Sequence, residues 1–157
     1  MSEPSTENII PNEEEMNAVS EKDRNKISRY KMREQAFILS FETLFSDTDI
    51  DELIDNALDA RDVFLSDYAV SCAKGIIEHR EEIDKVISDN LKKGWKISRI
   101  SKAALAILRV ALYEMLYLEE IPVSVSINEA VELSKKYAAD EDTAFINGLL
   151  GAAAKSL

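Results

Sequence analysis

Catalysis needs an acid–base group, a nucleophile or a metal held in a pocket. The chain offers one histidine, His79, and one cysteine, Cys72. His79 is followed by Arg80, Glu81 and Glu82, which is the setting of a solvated surface side chain rather than of a catalytic base. Cys72 stands in an apolar helical stretch without a plausible histidine partner, and fits a core thiol better than a nucleophile. No Cys/His set has zinc spacing, and no glycine-rich phosphate loop is present. The carboxylates of "EEID" and "DEDT" read as helix-face and loop charges. Neither an enzyme nor a metal or organic cofactor is expected; the residues favour a binding protein.

The chemistry that does stand out is charge. The chain holds 30 Asp and Glu against 19 Lys and Arg, a net charge of −11. Such a surface repels phosphates and excludes broad, non-specific nucleic-acid binding. Yet five basic residues and no acidic one lie between Arg24 and Arg33. On a helix Lys26, Arg29 and Arg33 share one face and Lys31 lies off it. Positive charge at a helix N-terminus opposes the macrodipole and so needs a reason. Arg109 is the other unusual cation, because it interrupts the most apolar segment of the chain. Its neighbours Leu108 and Val110 imply burial, so a core ion pair with Glu129 or Glu114 is expected ahead of an RNA contact.

Helices must position these groups. Residues 1–22, with Pro4, Pro11 and "EEE", read as a disordered acidic tail, and residues 23–157 as one helical domain. Helix one is expected over about 28–45, with Ala36, Phe37, Leu39, Phe41 and Leu44 on its apolar side. Asp49 caps a short second helix, and Ser66 or Asp67 starts a third. That third helix continues, with or without a break, to a stop at Gly94. "ISKAALAILRVALYEMLYL" is apolar nearly all round and predicts the central helix. Beyond Pro122, Ser126 and Glu129 read as a capping box. A last helix starts near Asp142 or Thr143, and its "NG" at 147–148 reads as helical, with Gly148 allowing a close helix approach or Asn147 hydrogen-bonding a neighbouring backbone. No apolar run approaches the roughly 20 residues of a membrane span, and the acidic N-terminus is no secretory signal. A single cysteine excludes a disulfide framework and favours a reducing, cytoplasmic setting.

Three blocks in order are specific: "AILRVALYEML" (106–116), "IPVSVSINEAVELSKKY" (121–137) and "AFINGLL" (144–150). With "RYKMREQAFILSFE" (29–42) they resemble the bacterial antitermination-factor family NusB over about residues 26–155. The resemblance implies an all-α bundle of about seven helices in two packed three-helix sub-bundles. It also implies a non-enzymatic role. Members pair with NusE, a small basic ribosomal protein, bind boxA elements of nascent ribosomal RNA, and join an RNA polymerase complex that resists termination. The arm residues Lys26, Arg29, Tyr30, Lys31 and Arg33 would then meet single-stranded RNA. Phe145 falls where the family has a base-stacking phenylalanine, core packing being the other reading of that side chain. Phe41 and Glu42 are the residues the family pattern nominates for NusE. The acidic remainder suits a basic partner. Family members occur as monomers and as homodimers. Two alternatives are a helical adaptor that binds protein only and an accessory module of RNA methyltransferases.

Overall fold

The computed structural model of the chain describes residues 29–45, 49–61 and 65–157. The acidic segment 1–22 and Lys26 lie outside these. Among the described residues there is no strand and there are seven α-helices. They are α1 (29–42), α2 (Ile50–Arg61), α3 (Asp67–Glu78), α4 (Arg80–Asp89), α5 (Lys102–Tyr117), α6 (Val123–Tyr137) and α7 (Asp140–Lys155), with one 3-10 turn at Ile97–Arg99. The chain divides into two units, Met1–Lys31 and Met32–Leu157. Of the first unit, residues 29–31 are described, and they are helical.

In the second unit α5 is the axis. It packs against α3, α4, α6 and α7, and α6 packs along α7. A helix with that many neighbours needs apolar side chains on every face, and ten of its residues are buried, from Ala104 to Leu112 together with Glu114. Ser101 caps it by accepting from the Ala104 amide at 3.2 Å. The apolar stripe of α1 joins the same core through Ala36, Phe37 and Leu39.

Several starts follow from local chemistry. Asp49 accepts from the Asp51 amide at 3.2 Å at the head of α2. Ser66 accepts from the Ala69 amide at 3.1 Å, and its own N–H donates to Gln35 of α1 at 2.9 Å. The stretch after Ser66 is broken at His79, where φ is −104°. Gly94 is not a helix stop. It sits at φ +90° inside a turn closed by Trp95 N–H donating to Lys92 C=O at 2.9 Å. A positive φ at the third position of a turn is where glycine is needed.

The expected capping box at Ser126 and Glu129 does not form. Pro122 supplies the extended N-cap of α6, which therefore begins at Val123. That places Ser126 a turn inside the helix, buried against α5. The last helix begins two residues earlier than expected, at Asp140, so Asp140, Glu141 and Asp142 all face its positive end.

Gly148 is helical, but it is not a point of close approach. A Cβ there would meet nothing within 4 Å. The close approach is at Gly75, where an added Cβ would overlap the Tyr113 phenol. Gly148→Ala should therefore raise stability by roughly 0.5–1 kcal/mol through helix propensity. Gly75→Ala must first displace Tyr113 and should show none of that gain. The urea midpoints of the two variants beside the parent check this; an equal rise in both would refute it.

Candidate nucleic-acid interface

Arg33 belongs to the core rather than to a solvent face. It is one turn ahead of Ala36 and Phe37 on the same stripe, so the helix that buries them also buries it, to 8% exposure. Its Nε donates to Glu114 of α5 at 2.8 Å. Glu114, 1% exposed, also accepts from Ser126 Oγ of α6 at 2.7 Å and from the Tyr68 hydroxyl of α3. Burial, with Cys72 and Glu114 nearby, holds the Tyr68 phenol far above its ordinary range. Burial, reinforced by Glu114, pushes the Cys72 thiol up to about 12. The expectation of Arg33 as a solvent-facing RNA contact is thus corrected, because its guanidinium is committed to an internal carboxylate.

Arg109 is paired inside the protein, as its apolar neighbours imply. The partner is Asp84 of α4, not Glu129 or Glu114. Arg109 Nε and Nη2 donate to the two Asp84 oxygens at 3.0 and 2.8 Å, a fork that matches both carboxylate oxygens. Asp84 is next to the buried Ile83 on the face that α4 turns to α5, which the 25-residue separation hides from sequence reading.

The other described candidates reach the surface at least in part. Arg29 and Lys31 are exposed and Tyr30 is half-buried. Phe41 and Glu42 are half-buried. Phe41 continues an aromatic ladder: Tyr137 to Phe37 at 4.8 Å, Phe37 to Phe41 at 5.8 Å and Phe41 to Phe45 at 4.7 Å, edge-on. Phe45, 60% exposed with the Lys102 ammonium 5.3 Å from its ring centre, is the open end of that ladder. The Phe37–Phe41–Phe45 spacing of four could have revealed it. Phe145 is half-buried and lines a groove of about 470 Å³ with Leu91, Lys92, Trp95 and Leu149.

His79 is half-buried and stacks on Tyr117 at 4.1 Å, with Nδ1 3.9 Å from Glu82, to which the Tyr117 hydroxyl donates. Among the described residues no three His, Cys, Asp or Glu side chains are placed to hold a metal ion, and no helix is long and apolar enough to cross a membrane.

Removing either carboxylate strands a buried guanidinium. Glu114→Ala should destabilise by about 3–5 kcal/mol. Asp84→Ala should cost less, since the Asp84 side chain is already 24% exposed and water can reach the space it leaves. Urea unfolding followed by circular dichroism gives the order; a smaller loss for Glu114→Ala would overturn it. The raised Cys72 pKa has a further consequence. The unfolded thiol ionises near 9 and the folded one near 12, so stability is complete below about pH 9 and falls as pH rises through that window. Cys72→Ser should flatten that alkaline limb in a pH series of midpoints.

The chain matches the model of the NusB family over residues 27–155. It is 41% identical over 129 residues to the transcription antitermination protein NusB of Clostridium novyi, covering 80% of this chain and 96% of that protein. It is 44% identical over 131 residues to the transcription antitermination protein NusB of Acetivibrio thermocellus, covering 82% and 90%. Among solved structures it is similar to T. maritima NusB, with 33% identity and a TM-score of 0.71 over 81% of this chain and 90% of that one. It is also similar to a chain in the crystal structure of antitermination factors NusB and NusE in complex with dsRNA, with 26% identity and a TM-score of 0.72 over 82% and 98%.

Proposed function

This chain belongs to the NusB family, and from that membership we propose that it is a transcription antitermination factor that pairs with NusE and binds boxA elements of nascent ribosomal RNA. The observation that carries the reading is the family match over residues 27–155, which spans the whole helical core and begins inside the basic arm. The role is non-enzymatic and cytoplasmic, within an RNA polymerase complex. The organisation proposed with it is an acidic segment, 1–22, ahead of a helical domain, 23–157.

The geometry supports a division of labour. Arg29 and Lys31 are the exposed cations of the arm among the described residues, and they contact phosphates. Lys26 extends the same basic run in sequence. Tyr30 and Phe145 offer rings to unstacked bases, which favours single strands, since bases in a duplex are already stacked. Arg33 positions α1 on α5 through Glu114 and touches no RNA. Phe41 and Glu42 form part of the NusE surface. With −11 of net charge, the protein alone binds RNA weakly, and a basic partner lowers the repulsion and adds contacts.

Fluorescence anisotropy of labelled boxA RNA over a salt series, with and without NusE, tests this. Arg29→Ala with Lys31→Ala should weaken binding and flatten the salt slope by about one per lost phosphate contact. Phe145→Ala should weaken it by roughly 1–3 kcal/mol with little change of slope. Parent-like binding by the arm variant at every salt concentration would remove the arm from the RNA site and favour a protein-only adaptor.

A further inference from the structure

The groove beside Phe145 has a second aromatic edge. Trp95 is the chain's one tryptophan and is 53% exposed. The Lys92–Trp95 turn that displays it depends on Gly94 at φ +90°. Around it the chain is basic without interruption. Lys92, Lys93, Lys96, Arg99 and Lys102 are all exposed, and no carboxylate lies between residues 90 and 113. With the arm, this segment accounts for ten of the chain's nineteen cations. Among the described residues Lys92, Lys93, Lys96 and Arg99 have no carboxylate within ion-pair distance.

Leaving an indole half in water forgoes the stabilisation of burying it. Holding four unpaired cations beside it adds mutual repulsion. In an acidic protein both features point to an anionic, flat-faced ligand. A basic protein partner is disfavoured by the same charges. A single nucleic-acid strand fits, because cations follow its backbone while bases stack on aromatic rings.

Resting on the RNA-binding reading above, we propose that the RNA path extends past Phe145 across the groove to Trp95, which stacks an unpaired base while Lys92, Lys93 and Lys96 hold the adjoining phosphates. Trp95 is then a specificity-neutral platform, since every base has a face to stack. The lysines add affinity that salt weakens.

The lone tryptophan makes the test direct. The full chain is titrated at low salt with a single-stranded boxA oligonucleotide while its intrinsic emission is read. Emission should be quenched in step with the anisotropy of the labelled RNA. Trp95→Ala should weaken binding roughly 5- to 100-fold with the salt slope unchanged. Trp95→Phe should restore most of the affinity, which a folding defect would not allow. Lys92→Ala with Lys96→Ala should flatten the slope by about one per lost contact. Binding that depends on Phe145 while Trp95 emission and the Trp95→Ala affinity stay unchanged would overturn the subsite and leave the proposed function standing. Failure of the parent to bind RNA at any salt concentration, alone or with NusE, would overturn both. Emission that responds to NusE and not to RNA would make the patch a protein surface and overturn the assignment.

Discussion

A single carboxylate, that of Glu114, ties together helices that are far apart in sequence. Arg33 comes from α1, Tyr68 from α3 and Ser126 from α6, and all three donate to this one group on α5. An ionised carboxylate removed from water is tolerated only when its lone pairs are filled. The constraint works in both directions, because a helix that slipped by one residue would leave its donor and Glu114 unsatisfied together. Apolar packing supplies the non-directional drive to bury α5. The polar cluster specifies which faces of the neighbouring helices meet it.

The core thereby determines which cations are left for function. Arg33 and Arg109 are consumed internally, by Glu114 and Asp84. The exposed cations of the arm and of the segment after α4 remain at the surface, while the excess of Asp and Glu is distributed over the rest of the chain. A molecule with this division can be repelled by phosphates over much of its surface and still hold RNA where cations collect. The same acidity favours a basic protein partner and makes the two kinds of ligand mutually supportive. Aromatic side chains follow the division. Phe37 is buried in the ladder that ends at exposed Phe45, whereas Phe145 and Trp95 share a groove beside lysines.

The helical class, the central place of α5, the cap at Asp49, a third helix from Ser66 or Asp67, and the family are legible in the residues alone, because each rests on local periodicity, local hydrogen bonding or an ordered run of residues. The apolar neighbours of Arg109 likewise favour a paired guanidinium over an RNA contact. The pairing of Arg109 with Asp84, the bond of Ser126 to Glu114 rather than to a helix end, the tight approach at Gly75 rather than Gly148, and the inward turn of Arg33 on a helical face shared with exposed Arg29 come from the packed fold. Periodicity places a residue on a face of its own helix. Whether that face meets water or a carboxylate depends on what a distant segment brings to it, and a buried charge takes its role from the partner it meets there.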